Sequence, residues 1–163
     1  MTTEDDVTEV MRLKALADKI DTMAKPIHTV VAEKVDELTD RLDTIVQDIM
    51  ELLDEGSITT AELENNCMLL SAELYYVSVN RENLFVKFKL AEQQKKTIYA
   101  QAFSGTEGTV GQKQSIAVMT AQNESLVEIM FASAFNKVDQ RVKTATDLLN
   151  SMKKMLGSRS TRG

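Results

Sequence analysis

The sequence predicts an all-α fold: a long antiparallel helical hairpin with additional N-terminal coiled-coil helices, assembled into an oligomer. Of the 163 residues, 43% are hydrophobic and only 5% are aromatic, with one proline and six glycines. That composition is typical of long helices. Apolar residues recur at alternating steps of three and four through most of the chain, as in helices that pack along one face.

An acidic coiled-coil region is predicted over residues 1–56. Its first helix, over residues 3–24, has four apolar residues at helical spacing: Leu13, Leu16, Ile20 and Met23. We expect Pro26 to begin a second helix rather than lie inside one, because proline removes a backbone donor. The stripe shifts phase by one residue there and continues over residues 27–54 as Val31, Val35, Leu38, Leu42, Ile45, Ile49 and Leu52.

The helical hairpin is predicted over residues 57–157. Thr59 and Glu62 have the spacing of a capping box. The first long helix then runs to about Phe103, and its seam consists of Leu63, Cys67, Leu70, Leu74, Val77, Leu84, Phe88, Ala91, Ile98 and Ala102. At about 1.5 Å per residue, the hairpin is roughly 60 Å long.

The loop of the hairpin is predicted at residues 104–109, which contain two glycines. The last helix runs from about Val110 to Leu156, and its second half repeats Val138, Val142, Ala145, Leu149, Met152 and Leu156. Residues 158–163 are predicted to form a basic flexible tail.

Two cations interrupt the seam of the first long helix. We expect Arg81 to pair within the bundle, because a cation in a packed seam is costly without a partner. Lys95 adjoins Lys96 near the glycine loop, and we expect the seam there to fray or to face outward.

Charge is distributed unevenly along the chain. Residues 1–60 hold 15 acids and 6 bases, whereas residues 61–163 hold 10 acids and 13 bases. Such asymmetry indicates different partners for the two parts.

The lone Cys67 is on the seam and is interpreted as a small buried hydrophobe. Without an apolar run long enough to span a membrane, we expect a protein of the cytoplasm, or of the host cytoplasm if a phage encodes it.

Enzyme chemistry is not predicted. The only histidine is His28, and no cluster of Cys, His and Asp has the spacing of a metal site. Neither a P-loop nor a dinucleotide-binding glycine motif is present. We therefore expect no catalytic residues, no metal and no cofactor.

A cluster of lysines and aromatic residues lies on either side of the glycine loop. The candidate nucleic-acid-binding residues are Phe85, Lys87, Lys89, Lys95, Lys96, Tyr99 and Lys113. Cations that contact phosphates and rings that stack on bases are what single-strand binding requires. The alternative is that Phe88 and Phe103 are core residues and that the lysines only keep a helix face soluble. A further cationic group near the C-terminus is Lys153, Lys154, Arg159 and Arg162.

The acidic helix over residues 27–54 repels phosphate and cannot be the nucleic-acid site. Two interpretations of it stay open. It is either a plain oligomerisation coil or a surface that docks a basic partner protein.

Three segments resemble recombination mediators of the UvsY type, which are small helical phage proteins. The resemblance rests on Asn65–Ser71, Gln93–Lys96 and the Phe103–Gly105 turn, and it covers about a third of the chain, Glu62–Lys113. In that family an Asn-Asn-x-Met-Leu-x-Ser segment is followed by Gln-Lys-Lys and a Tyr-Tyr-Ser-Gly turn. The segment Ser104–Lys113 is also similar to a Gly-Thr-Val-x-x-(Arg/Lys)-Lys region of helical proteins from phage recombination modules.

The resemblance implies a mostly helical, ring-forming homo-oligomer that binds single-stranded DNA. Such proteins help a RecA-like recombinase displace a single-strand-binding protein. The sequence departs from the family at two points. The family's Lys-x-Arg pair corresponds to positions near Thr97 and Tyr99, just after the basic Lys95-Lys96 pair. The acidic extension over residues 1–53 has no counterpart. The rival hypothesis is a coiled-coil interaction protein (a phage assembly chaperone, a scaffold or an inhibitor of a host protein) that acts through its acidic helices.

Overall fold

The computed structural model describes residues 4–56 and 58–160. They form four helices: α1 (Glu4–Asp54), α2 (Thr60–Gly105), α3 (Val110–Thr120) and α4 (Gln122–Ser160). The described part of the chain contains no strand, so the predicted all-α class is confirmed.

α1 is one continuous helix of 51 residues with Pro26 inside it. The prediction that Pro26 separates two helices was therefore wrong. Proline cannot donate to the carbonyl of Thr22, but this part of the helix is exposed, so water can satisfy that carbonyl.

The connections between the helices depend on turn chemistry. Thr59 and Glu62 form the predicted capping box at the start of α2, with the Glu62 carboxylate accepting from the Thr59 backbone N–H at 2.7 Å. A second capping box, between Thr109 and Gln112, starts α3. Before it, Gly108 has a φ of 125°, where an added Cβ would lie 2.6 Å from the Gln112 side-chain oxygen.

The last predicted helix is divided in two. Ala121, with ψ near 13°, separates α3 from α4, whereas the prediction had one helix from 110 to 156. Thr120 and Ser125 each donate a side-chain hydroxyl to the carbonyl four residues earlier, a bond that tends to bend helices. α4 then continues to Ser160, four residues past the predicted end at Leu156. The rest of the predicted flexible tail, residues 161–163, lies outside the described residues.

One end of the molecule contains three helices side by side, which we call the three-helix segment (α1 from 27, α2 up to 84, α4 from 130). α2 runs antiparallel to α1, because a short connection joins Asp54 to Thr60 and Arg41, further back on α1, lies 3.1 Å from Glu73, further along α2. α4 runs parallel to α1, and its Arg159 donates to the Ile58 carbonyl at 3.0 Å in the α1–α2 connection. The predicted seams meet here. The largest fully buried side chains are those of ten seam residues and of Thr39, which is not on the predicted stripe: Leu42, Ile49, Leu63, Leu70, Leu84, Met152, Val31, Val35, Val77, Val138 and Thr39.

The other end, the distal segment (α2 from 85, α3, and α4 up to 129), has a core of small residues. Its buried side chains are Ala91, Ala117 and Ala121, and Ile98 and Ala102 of the predicted seam are half-buried. Small side chains let helix backbones approach closely but bury little apolar area.

Residues 11–26 of α1 are left almost entirely uncovered by the described chain. Between residues 11 and 26, which we call the α1 arm, every side chain is exposed except that of Ala24, which is half-buried. The arm's apolar stripe is therefore bare in a single chain: Leu13 55%, Leu16 52%, Ile20 56% and Met23 45% exposed.

Candidate nucleic-acid interface

The distal half of α2 gathers four of the seven candidate residues on one face. Phe85, Lys89, Lys96 and Tyr99 fall at helical spacing, together with Glu92 and Phe103. We call these six residues the lysine–aromatic stripe. It runs beside the seam that packs against α3 and α4, because each of its members follows a seam position by one residue.

Glu92 lies in the middle of this stripe and binds both of its lysines. The Nζ atoms of Lys96 and Lys89 are 2.6 and 2.9 Å from the Glu92 carboxylate oxygens. Hydrogen bonds from Lys96 and Lys89 lower the pKa of Glu92 to about 2, and the bond to Glu92 raises the pKa of Lys96. At neutral pH the stripe thus holds two cations and one anion, and phosphate must compete with Glu92 for both lysines.

Lys95 does not face outward, contrary to the sequence prediction. Its Nζ lies 2.8 Å from Glu128 Oε2 of α4, and the side chain is 41% exposed. The seam stays closed at this position because α4 supplies a counter-charge, so Lys95 joins the two helices of the distal segment.

The aromatic candidates are partly engaged within the protein. The ring of Phe85 packs against Phe135 of α4 at a centroid distance of 5.4 Å. Tyr99 stacks on Phe103 at 6.3 Å with an interplanar angle of 14°. Lys89 lies over the Phe88 ring at 4.8 Å. Tyr99 and Phe103 are both half-buried, so each presents only part of its surface to a base.

The two remaining candidates are not on the stripe. Lys87 follows Phe85 by two residues and precedes Lys89 by two, which places it on a different side of the helix. Lys113 is half-buried on α3, one turn before the buried Ala117. No carboxylate of residues 4–56 or 58–160 forms an ion pair with either lysine.

The distal segment as a whole has almost no net charge. Residues 85–129 contain five lysines and four glutamates, with no arginine or aspartate. A single chain therefore presents no broad basic field at this end, and any attraction for phosphate comes from individual lysines.

Arg81, the other cation in the seam, pairs within the bundle as predicted. Its guanidinium donates to Asp139 of α4 at 3.1 Å and to Glu82 at 2.6 Å. The pair lies where the three-helix segment gives way to the distal segment, and it fixes the register of α2 against α4.

Arg141 is a structural residue that the sequence reasoning missed. It donates to Thr39 and lies 2.6 Å from the Asp43 carboxylate and 3.3 Å from that of Asp36. The available signal was a spacing of Asp, Thr and Asp at one-turn intervals along α1. This contact gives part of the acidic charge of α1 a role in holding α4.

Other classes of site find no support in the described residues. Within residues 4–56 and 58–160, no group of three or more His, Cys, Asp or Glu side chains is arranged to hold a metal ion. No helix there has the length and apolar character needed to cross a membrane. Cys67 is buried, and burial raises the pKa of its thiol.

Comparison with known proteins adds no assignment. The chain matches no protein-family model, and no significant match was found among curated proteins or solved structures.

Proposed function

We propose that this protein is a non-enzymatic helical oligomer that binds single-stranded DNA on the lysine–aromatic stripe and assists a RecA-like recombinase. The observation that carries the proposal is the alignment of Lys89, Lys96 and Tyr99 on one face of α2. The two lysines can contact backbone phosphates, and the tyrosine beside them offers a ring edge or face to a base. The resemblance to UvsY-type mediators is the second support.

The stripe is tested by fluorescence polarisation of a labelled single strand at two salt concentrations. The double change Lys89→Ala/Lys96→Ala is expected to weaken binding by at least about tenfold at low salt and to reduce the salt slope by about 1.4, since each single-strand phosphate contact contributes about 0.7. The matched control is Lys137→Ala/Lys143→Ala, which removes the same charge from the three-helix segment. Equal affinity of the stripe variant and wild type would refute binding at the stripe.

Glu92 provides a second and opposite test. If phosphate competes with this carboxylate for Lys89 and Lys96, the change Glu92→Gln frees both lysines and should raise DNA affinity by roughly two- to fivefold. Glu107→Gln, in the α2–α3 loop, is the matched control. A Glu92→Gln variant that binds more weakly than wild type would contradict the competition.

The second candidate function is an interaction protein that acts through α1, and the bare stripe of the α1 arm favours it. An apolar face on an uncovered helix needs a partner helix. Arg12 and Lys19 lie along one edge of that face and Ala17 and Ala24 along the other. These flanks suit a partner helix with acidic residues on the side that meets Arg12 and Lys19.

The two candidates are separated by the double change Leu16→Glu/Ile20→Glu. DNA binding on the stripe of α2 leaves polarisation titrations of this variant unchanged. A partner that docks on the arm, identified by mass spectrometry and then purified, loses its binding to the variant while keeping its binding to Lys89→Ala/Lys96→Ala. The arm interpretation fails if the purified partner binds both variants equally.

A further inference from the structure

α2 carries a second apolar stripe that is exposed in the described part of the chain, residues 4–56 and 58–160. Its seam faces the bundle, but on the opposite side of the helix five large apolar side chains are exposed: Met68 66%, Tyr75 69%, Val79 49%, Val86 54% and Leu90 64%. Ala72, also exposed, completes the row. We call these six residues the outer stripe. A helix that is apolar on two opposite faces needs a second packing partner to bury its second face.

Apart from Tyr75, the members of the outer stripe are spaced symmetrically about Val79. Ala72 and Val86 lie seven residues on either side of Val79, and Met68 and Leu90 lie eleven on either side. In a contact between two copies related by a two-fold axis, residue i of one copy meets residue j of the other, and j meets i. A stripe centred on Val79 meets this condition when the two α2 helices run antiparallel.

That arrangement defines the layers of the contact. Val79 meets Val79 of a second copy at the axis, Ala72 meets Val86, and Met68 meets Leu90. In the layer next to the axis the small Ala72 opposes the larger Val86, a pairing that lets side chains interdigitate. Tyr75 comes opposite Asn83, whose amide can bond the phenol.

The charges beside the outer stripe also favour the antiparallel direction. Glu64 flanks its first end and Lys96 flanks its last end on the same side of the helix. Antiparallel pairing brings Glu64 of each copy close to Lys96 of the other, whereas parallel pairing leaves these opposite charges at opposite ends of the contact. Within its own chain Lys96 also binds Glu92 at 2.6 Å. Glu82, nearer the axis, is already paired with Arg81 of its own chain at 2.6 Å.

We infer that the outer stripe of α2 is a two-fold interface at which a second copy of this chain binds through the same stripe in the antiparallel direction. The inference specifies a contact within the oligomer that the proposed function assumes. It does not rest on DNA binding.

The interface is tested by sedimentation velocity and light scattering on the full chain. Val79→Glu places two carboxylates at the axis and is expected to reduce the mass of the assembly at least twofold at tens of micromolar protein. Val118→Glu, at a 61% exposed position on α3, is the matched control and should leave the mass unchanged. Both variants should keep wild-type helicity in circular dichroism, since both positions are exposed.

Disulfide trapping tests the direction of the pairing. In a Cys67→Ala background, Val79→Cys should cross-link to a dimer under mild oxidation, because facing residues at the axis come within bonding range. A mixture of Met68→Cys chains and Leu90→Cys chains should give a mixed dimer in excess of either homodimer.

The outcomes decide the inference without reference to DNA. A monomeric wild type, an assembly that survives Val79→Glu, or Met68→Cys homodimers in place of the mixed dimer would each overturn it. An assembly lost with Leu16→Glu/Ile20→Glu but kept with Val79→Glu would assign self-association to the α1 arm instead. Failure of the single-strand titration with an intact two-fold dimer would overturn the proposed function alone.

Discussion

The three-helix segment and the distal segment are built from the same helices but are held together differently. In the first, leucine, isoleucine, valine and methionine side chains from α1, α2 and α4 fill a common core, with Leu42, Leu63 and Leu70 fully buried. In the second, α1 is absent from the packing and the buried residues are alanines. The Lys95–Glu128 ion pair between α2 and α4 supplements them.

Because of this difference, we expect the most stable part of the molecule and the candidate binding site to lie in different segments. Buried apolar area supplies most of the stabilisation of a helical bundle, so the three-helix segment is the stable part. The distal segment buries fewer large apolar side chains. Regions of this second kind open locally at lower cost, and binding surfaces are often drawn from them.

The largest expected effect contrasts one core leucine with one distal isoleucine. Leu70→Ala removes a fully buried side chain and should lower the free energy of unfolding by about 3 kcal/mol, while Ile98→Ala, at a half-buried position, should cost about 1 kcal/mol. Urea denaturation followed by circular dichroism measures both. Equal losses would show that the distal core is as tightly packed as the three-helix core.

The second-largest expected loss of stability tests how closely α3 packs against α2. Ala117 is 0% exposed, so Ala117→Leu overfills the contact and should cost about 2 kcal/mol. Ala100→Leu, at an exposed position of α2, is the control and should be nearly neutral. Thermal melts of the two variants give the comparison. A neutral Ala117→Leu would mean that α3 can move away freely.

Substitution of Arg141 should lower the free energy of unfolding by less, because its contacts lie within the three-helix segment and are partly exposed. Arg141→Ala removes the donor to Thr39 and the ion pairs with Asp36 and Asp43. Because these groups are partly exposed, we expect a loss of about 1 kcal/mol. Lys143→Ala, which removes an exposed one-turn pair with Asp139, should cost less than about 0.5 kcal/mol. If the two losses are equal, Arg141 does not anchor α1 to α4.

Much of the three-helix segment was predictable from the sequence, because its seams follow one period. The buried residues of α4 from Val138 to Met152 are those that the pattern names, and so are most of those in α1 and α2. What failed were local exceptions. Pro26 lies within a helix because the surrounding turn is exposed, and Ala121 breaks a helix although alanine has the highest helix propensity.

The candidate site was less predictable, because a list of nearby lysines does not say which of them share a face or have partners. Helical spacing alone separates Lys87 from Lys89. The ion pair between Lys95 and Glu128 depends on the register of α4 against α2, which cannot be predicted from the local sequence of either helix. Likewise, the outer stripe of α2 has the same spacing as the seam, and only the packed structure shows which of the two stripes is bare.

The smallest expected effect is the titration of Glu92 in the distal segment. Its pKa falls from 4.5 to about 2 because Lys96 and Lys89 donate to the charged form. A carboxylate with a depressed pKa stabilises the fold above its unfolded pKa, and this contribution is lost as pH falls from about 4.5 to about 2. A carboxyl-carbon NMR titration of Glu92 should thus show a midpoint near 2, and Lys89→Gln/Lys96→Gln should return it toward 4.5. A wild-type midpoint that already lies at 4.5 would mean that both lysines are free in solution, which would increase the positive charge available to phosphate on the lysine–aromatic stripe.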